Sequence, residues 1–286
     1  MNDMRLHTTG DVEEYAAAVV RFLETSPASR NILRWIIELA RTGTGQWNAP
    51  PLFAWADDGS ELVAAASWTA PFYLTASAFP RAMVQPLVEA VHDAATAHAV
   101  AVYGTSGPRE TVEAIAAAWT RLTGEATHEQ MAETLYALSH VRSVPKPPGA
   151  RRAAAEDDID LLAQWFVDFV TELHLPAGDD PLGAVRIMVA NGDCDVWVDG
   201  DELVSMSGHR PPLAGVVRVG PVYTPPTRRG RGYARRLVAE VSAAALEAGA
   251  RQCMLYADAA NPVSNAIYRQ IGYEPREERV DIVFGP

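Results

Sequence analysis

Tyr223–Arg236, with the sequence YTPPTRRGRGYARR, joins a predicted strand to a predicted helix. Glycines let a chain turn with its backbone exposed, and the first turn of a helix has N–H groups without helical acceptors. Such a corner can bind phosphate. Gly230 and Gly232 allow the backbone to approach an anion, and five arginines add positive charge: Arg228, Arg229, Arg231, Arg235 and Arg236. Residues 228–236, the Gly/Arg turn, are therefore predicted to form an anion site, with an exposed basic turn as the alternative.

The composition restricts any anion site to a local one. The chain has 286 residues, of which 48% are hydrophobic and 21% are charged, and its formal net charge is −12. This composition is typical of a soluble folded protein, whereas a nucleic-acid-binding face needs Lys and Arg clustered over a large area. Cys194 and Cys253 are too far apart in sequence for a CxxC pair or a zinc motif. We therefore expect no nucleic-acid partner and no metal.

The N-terminus and the hydropathy predict a cytoplasmic location. Met1–Gly10 lacks the charged start, apolar stretch and cleavage site of a signal peptide. No apolar run approaches the roughly 18 residues of a membrane-spanning helix. We expect no membrane contact.

The elements around the Gly/Arg turn predict an α/β domain over residues 151–286. Spacing and turns predict the strand Arg151–Ala155, a helix ending at Pro176, the helix Pro181–Ala190, the strands Cys194–Val198, Glu202–His209 and Val216–Tyr223, the helix Tyr233–Ala248, the strand Gln252–Ala257, the helix Pro262–Ile271 and the strand Val280–Phe284. The three consecutive strands predict an antiparallel meander.

Residues 1–142 carry a similar order of elements. They comprise a hairpin of Phe53–Ala56 and Glu61–Ala70, the helix Arg81–His98, the strand Val100–Gly104, the helix Glu110–Leu122 and the strand Ala132–Leu138. Residues 143–150, SVPKPPGA, contain three prolines and a glycine and predict a linker. An internal duplication and two unrelated α/β pieces both fit this order.

The Gly/Arg turn lacks the Gly-Lys-Ser/Thr of a Walker A loop and does not fit a dinucleotide GxGxxG loop. Its spacing resembles the loop Arg/Gln-x-x-Gly-x-Gly/Ala of the GNAT superfamily of N-acetyltransferases, through Arg229, Gly232 and Ala234. A second family signature follows in Leu255–Asp258, Asn261–Tyr268 and Ile271–Tyr273. The resemblance in sequence covers residues 193–284. In the first half of the chain, only the order of elements resembles the family. It implies an α/β (α+β) fold of two tandem GNAT-like domains, the first degenerate, each a mixed, mostly antiparallel twisted sheet flanked by helices.

The resemblance implies acetyl-CoA as cosubstrate. The family's loop amides hold the pyrophosphate, which carries over to Arg229, Gly230, Arg231, Gly232, Tyr233 and Ala234. Where the family's strands separate, the pantetheine arm pairs with a strand edge, here Val222, Tyr223 and Thr224, whose amides would also stabilise the oxyanion. Asn261 is implied to bind the pantetheine. Ser264 and Asn265 are placed either to bind the cofactor or to cap the helix.

Tyr268 matches the family's general acid, which protonates the departing thiolate of CoA. A packing role for its ring is the alternative. The acceptor amine must lose a proton before it attacks, and Glu172 and His209 are candidate bases, with His174 as a third. Solvated or structural roles for these residues are the alternatives.

The resemblance thus implies an acetyl-CoA-dependent N-acetyltransferase that acts on a small-molecule or peptide amine by direct attack in a ternary complex. A non-catalytic acyl-CoA-binding regulatory module and a purely structural pair of domains are the alternatives. In the first half, Thr75–Arg81 has no Gly-x-Gly, and Trp119 occupies a place similar to that of Tyr268. We expect this half to have lost the anion site and to shape the acceptor cleft.

Overall fold

The structure is a computed structural model that describes residues 4–173 and 180–285. Pro176 and His174 lie outside the described residues. The chain divides into two compact units, and neither is a continuous segment. The first unit runs to Leu135 and adds Asp258–Ala260 and the segment from Arg276, while the second holds Tyr136–Ala257 and Asn261–Pro275. A domain boundary at residues 143–150 stays a prediction.

The first unit is a mixed sheet with helices on both faces. Its elements are β1 (Arg5–Thr9), α1 (Val12–Glu24), α2 (Asn31–Thr42), β2 (Leu52–Asp57), β3 (Leu62–Trp68), β4 (Leu74–Ala76), α3 (Arg81–His98), β5 (Gly104–Pro108), α4 (Arg109–Thr123) and most of β6 (Thr127–Leu138). Strands β1 to β5 lie side by side in chain order, and of these only β4 and β5 are parallel neighbours. One apolar cluster involves α3 and α4, and another involves α1 and α2.

The second unit repeats this plan. Its elements are β7 (Ala150–Ala153), α5 (Ile159–Glu172), α6 (Pro181–Ala190), β8 (Cys194–Asp199), β9 (Glu202–His209), β10 (Val216–Tyr223), α7 (Tyr233–Glu247), β11 (Gln252–Asp258) and α8 (Pro262–Ile271). The predicted meander is confirmed, because β8 pairs with β9, and β9 with β10, in antiparallel register. Helices α5 and α6 pack in one apolar cluster, and α7 and α8 in another.

The last strand of the chain, β12 (Glu274–Phe284), contributes most of its residues to the first unit. There Arg279–Val283 pair in antiparallel register with β5. Each half of the chain has the order β-α-α-β-β-β-α-β-α-β. This repetition favours an internal duplication, and the predicted α/β fold of two tandem domains with mixed, mostly antiparallel sheets is confirmed.

The strand predicted at Val100–Gly104 is wrong, because β5 occupies Gly104–Pro108. The valines before Gly104 carry the apolar signal, whereas the strand itself has the sequence GTSGP. Its first glycine is required by a close backbone contact: a Cβ there would lie 2.1 Å from the carbonyl oxygen of Ile282. The small residues mark a crowded strand, although their sequence is typical of a turn.

Candidate active site

Strands β10 and β11 pair over only part of their length. They are parallel neighbours from Val216 to Arg218 of β10, opposite Gln252–Met254 of β11. Beyond Arg218, the pairing of β10 among the described strands is with β9, and the register shifts between Val219 and Val222. Such an irregularity bends a strand. The expected separation of the two strands is therefore present, and it leaves an edge of β10 open beside Val222.

The Gly/Arg turn leads from β10 into α7. Gly230 and Gly232 have φ values of 77° and 85°, in the left-handed region that favours glycine. The N-cap of α7 is Gly232, which has no capping side chain, and the N–H of Arg236 donates to its carbonyl oxygen at 3.1 Å. Within the described residues, the N–H groups of residues 230–235 have no backbone acceptor. These donors and the positive end of the helix dipole suit a phosphate group.

Most arginines of the turn already have partners in the structure. Arg228 pairs with Glu202, Arg229 with Glu172, Arg235 with Gln270 and Arg236 with Glu240. Arg231 is exposed, and in the described part of the chain it forms no hydrogen bond or ion pair. Its guanidinium is therefore the one in the turn that is fully available to an added anion.

Arg229 connects the turn to the last residue of α5. Its Nη2 donates to both carboxylate oxygens of Glu172 at 2.8 Å, and its Nε donates to the carbonyl oxygen of Thr224 at 2.8 Å. The Tyr223 hydroxyl donates to Oε1 of Glu172 at 3.3 Å. Burial, together with the nearby charges of Glu172 and Asp168, raises the pKa of Tyr223 to about 12. Glu172 thus lies at the end of β10.

The backbone of Tyr233 belongs to the Gly/Arg turn, whereas its side chain packs in the core. The side chain is buried, and its hydroxyl donates to Oδ2 of Asp199. Contact between Tyr233 and an anion is therefore restricted to its N–H group. Ala234 can offer the same backbone group from the first turn of α7.

Hydrogen bonds at the N-terminus of α8 show which of its polar residues caps the helix. Oδ1 of Asn261 accepts hydrogen bonds from the N–H groups of Val263 and Ser264, both at 3.1 Å. The Ser264 hydroxyl donates to the carbonyl oxygen of Asn261 at 3.2 Å. Asn261 is therefore the cap, and the Ser264 hydroxyl bonds within the same turn.

Asn265 is held inside the protein. Its side chain is buried, its Nδ2 donates to the carbonyl oxygen of Asn261 at 2.6 Å, and its Oδ1 accepts from the Tyr136 hydroxyl at 2.8 Å. Both ends of the amide are thus engaged by the protein. This placement supports neither the capping role predicted as the alternative for Asn265 nor contact with a cofactor.

Tyr268 lies on α8 with its ring among other aromatic rings. The ring centroid is 6.1 Å from that of Tyr136 and 6.0 Å from that of Tyr273. Burial raises the pKa of Tyr268 to about 12, and no charge or hydrogen bond contributes to that shift. The phenol is therefore protonated across the physiological range, as a proton donor must be, while its ring also packs in the core.

His209 lies at the end of β9, where it contacts carboxylates. Its Nε2 is 3.3 Å from Oδ2 of Asp195, and its Nδ1 is 4.0 Å from Oδ1 of Asp193. Burial raises the pKa of Asp195, but hydrogen bonds from His209 and Arg151 outweigh it and lower the pKa overall. Among the described residues, no hydrogen bond or ion pair joins His209 to Glu172 or Tyr268, so these candidates form no hydrogen-bonded network.

Two neighbours of the end of β10 are not indicated by the sequence motifs. The Ser205 hydroxyl donates to the carbonyl oxygen of Tyr223 at 3.0 Å and lies 2.8 Å from Oγ1 of Thr224. The ring centroid of Trp165, on α5, lies 6.3 Å from that of Tyr223. A signal for Ser205 does exist, since serines alternate with apolar residues at the buried centre of β9. Trp165 gives no such signal, because a tryptophan on an apolar helix face is typical of any core.

The counterpart turn in the first unit is built differently. Between β4 and α3 the N–H of Phe79 donates to Oγ1 of Thr111 at 3.0 Å, and the N-cap of α3 is Pro80. Trp119 donates through Nε1 to Glu125 at 2.7 Å and stacks on Phe284 at 4.7 Å between ring centroids. These side chains are engaged within the first unit, and an anion site there receives no support from them.

Neither a metal cluster nor a membrane span occurs in the part of the chain that the structure describes. In residues 4–173 and 180–285, no three His, Cys, Asp or Glu side chains are grouped to hold a metal ion. In the same ranges, every helix is too short or too polar to cross a bilayer.

Comparison with known proteins finds one family and many similar structures. Residues 208–282 match the family described as FR47-like protein. No curated protein matches the chain. The GCN5-related N-acetyltransferase from Sphaerobacter thermophilus has a TM-score of 0.61 at 17% identity, covering 98% of this chain and 95% of that chain.

Two further structures cover the whole length. An acetyltransferase from the GNAT family of Colwellia psychrerythraea has a TM-score of 0.60 at 10% identity, covering 99% of this chain and 100% of that chain. A tandem GNAT protein from the clavulanic acid biosynthesis pathway has a TM-score of 0.55 at 12% identity, covering 99% of each chain. The predicted resemblance to the GNAT superfamily and the tandem GNAT fold are confirmed. At these identities the structural similarities establish the fold alone.

Proposed function

We propose that the second unit, which has the GNAT fold, binds acetyl-CoA and transfers its acetyl group to a primary amine by direct attack in a ternary complex. The observation that carries this proposal is the separation of β10 from β11 next to an α7 N-terminus with unbonded N–H groups. An open strand edge suits a ligand with amide groups, and a row of backbone donors suits a diphosphate. Acetyl-CoA contains both, and the FR47-like match at residues 208–282 spans the whole feature.

The residues around the turn fit these two parts of the cofactor. A Cβ placed on Gly230 would meet nothing within 4 Å, so the backbone there is open to a ligand. We assign the pyrophosphate to the N–H groups of residues 230–235, with Arg231 as the free charge and Arg229 beside it. The pantetheine is assigned to Val222–Thr224 and to the amide NH₂ of Asn261, whose oxygen already caps α8.

Three tasks remain for the protein once the activated thioester of acetyl-CoA is bound. N–H groups on the β10 edge can stabilise negative charge on the carbonyl oxygen. Tyr268 is proposed to supply the proton that the leaving sulfur requires, since a phenol carries its proton at neutral pH and burial raises its pKa further. A base must take a proton from the amine. Glu172 already accepts three hydrogen bonds, from Arg229 and Tyr223, and Nε2 of His209 lies 3.3 Å from Oδ2 of Asp195, to which it donates.

Calorimetric titration with acetyl-CoA tests the first half of the proposal. We expect one site per chain, with affinity that falls as salt is added, because part of the binding is electrostatic. Absence of binding by the wild-type protein would overturn the assignment.

Release of free CoA tests the second half. Wild-type protein, acetyl-CoA and a panel of amines are incubated, and the free thiol is measured against controls without amine. The panel should include polyamines, aminoglycosides and peptides with a free N-terminus. Amine-dependent thiol release supports the transferase, whereas tight binding of acetyl-CoA without release for any amine would instead favour an acyl-CoA-binding module.

A further inference from the structure

The guanidinium of Arg229 is fixed on two of its three nitrogens. Nε donates to Thr224, Nη2 donates to Glu172, and the guanidinium carbon lies 5.6 Å from the ring centroid of Tyr223. Within the described residues Nη1 forms no hydrogen bond. Arg229 is therefore held in one orientation with Nη1 left over, and it directly precedes the residues of the Gly/Arg turn whose amides are unbonded.

Glu172 provides most of this restraint. Both of its carboxylate oxygens accept from Arg229, and one also accepts from the Tyr223 hydroxyl. The carboxylate thus links the end of α5 to both the end of β10 and the Gly/Arg turn. A general base needs a free lone pair directed at the amine, and three of the roughly four acceptor sites of this carboxylate are already occupied, two by Arg229 and one by Tyr223.

We propose that Glu172 is a positioning residue for Arg229, which it holds so that Nη1 is presented to the pyrophosphate of acetyl-CoA. This inference rests on the proposed function, since the anion is that of the cofactor. It replaces the base role with one that the contacts support. A long, flexible arginine loses side-chain entropy when it binds an anion, and a partner that orders it beforehand reduces that loss.

The Arg229–Glu172 pair is exposed, so its effect on cofactor binding can be measured separately from any effect on the stability of the fold. The side chains of Arg229 and Glu172 are 47% and 44% exposed. Ion pairs this exposed contribute little to the stability of a fold, typically about 0–1 kcal/mol. Removing Glu172 is therefore expected to leave the protein folded, which thermal denaturation of each variant verifies.

Glu202 offers a matched control. It pairs with Arg228, which belongs to the same turn, and its side chain is 61% exposed. In contrast to Arg229, Arg228 donates no hydrogen bond to the end of β10 in the described structure. Glu202→Ala therefore removes a carboxylate that pairs with the same turn without releasing Arg229.

The test is calorimetric titration of acetyl-CoA into wild type, Glu172→Ala, Glu172→Gln, Arg229→Ala, the Glu172→Ala/Arg229→Ala double variant and Glu202→Ala. We expect Glu172→Ala to weaken binding roughly three- to tenfold, the range for loss of one hydrogen bond or exposed ion pair. Glu172→Gln should recover part of the loss, because its amide oxygen still accepts from Arg229. Glu202→Ala should change affinity less than Glu172→Ala does.

The double variant and the kinetics decide between mechanisms. If Glu172 acts through Arg229, Glu172→Ala has no further effect once Arg229 is alanine, and with a reactive amine the loss appears in KM for acetyl-CoA. Unchanged or tighter binding by Glu172→Ala overturns the inference, and so does an equal loss in the Arg229→Ala background. A fall in kcat at unchanged affinity overturns it in favour of the base. Failure of the wild type to bind overturns the proposed function itself, which distinguishes the two failures.

Discussion

Arg218 of β10 and Met254 of β11 are the last residues at which these two parallel strands pair. Beyond them β10 keeps its pairing with β9 and continues into the Gly/Arg turn. An open strand edge leaves N–H and C=O groups that need another partner. The turn adds unbonded amides of its own at residues 230–235, after two prolines and the bonded N–H groups of Arg228 and Arg229. The candidate site is thus built chiefly from backbone that the fold leaves unpaired.

Gly232→Glu is predicted to abolish acetyl-CoA binding. A Cβ at this position, the N-cap of α7, would lie 3.2 Å from Nη2 of Arg235, and the carboxylate beyond it would compete with the pyrophosphate for the same N–H groups. A negative charge at a helix N-terminus favours the helix, which partly offsets the cost of the positive φ. Calorimetric titration should therefore show no binding by a folded protein.

Gly249→Glu is the matched control. Gly249 also has a positive φ, of 101°, and follows the other end of α7 with nothing within 4 Å of an added Cβ. The Gly249→Glu substitution therefore introduces the same side chain, with similar backbone strain, at a position away from the Gly/Arg turn. Binding by Gly232→Glu as tight as that of Gly249→Glu would contradict the assignment of the turn.

Tyr268→Phe is predicted to lower kcat by about 10²-fold or more, the usual contribution of general acid catalysis. Phenylalanine keeps the ring between Tyr136 and Tyr273, so the affinity for acetyl-CoA should change little. Tyr273→Phe is the control, because its hydroxyl lies 2.8 Å from the Ser242 hydroxyl in the core and its loss should cost only about 1 kcal/mol of stability. Equal kcat values for wild type and Tyr268→Phe would exclude Tyr268 from the chemistry.

The pH dependence of that effect follows from the raised pKa of Tyr268. A raised pKa means that the proton is lost only as the pH rises through about 12. The ratio of kcat for wild type to kcat for Tyr268→Phe should therefore stay constant between about pH 7 and about pH 10, where an ordinary tyrosine would already titrate. Taking the ratio cancels the titration of the amine and of other groups. A ratio that falls towards one within that interval would show that Tyr268 ionises with an ordinary pKa.

Much of the second unit can be predicted from local sequence. Glu202–His209, Val216–Tyr223 and Pro262–Ile271 have the same bounds in the structure as in the prediction. Each lies between turn or capping signals that act over a few residues, such as Asp199-Gly200-Asp201 before β9 and Gly272 after α8. The Gly/Arg turn is predictable for the same reason, since its glycines and the helix start are consecutive.

Other features depend on residues that are distant in sequence. Glu172 and Arg229 are 57 positions apart, and neither a helix end nor an arginine-rich turn indicates which carboxylate will meet which guanidinium. The strand at Gly104–Pro108 is recognisable only when the backbone of Ile282 is placed against it. Asn265 illustrates a third limit, because an asparagine near a helix start has the same sequence signal whether it binds a ligand or another side chain.

Asn265→Ala is predicted to lower the stability of the protein more than its affinity for acetyl-CoA. The substitution leaves the hydroxyl of Tyr136 without its acceptor in a buried position, which typically costs about 1–3 kcal/mol. Urea denaturation followed by circular dichroism measures the loss, and Asn191→Ala, at an exposed asparagine that ends α6, should change stability by no more than about 0.5 kcal/mol. Tyr136→Phe in the Asn265→Ala background should restore part of the stability, because the unpaired hydroxyl is then removed. A large loss of acetyl-CoA affinity in a fully stable Asn265→Ala protein would return Asn265 to the cofactor site.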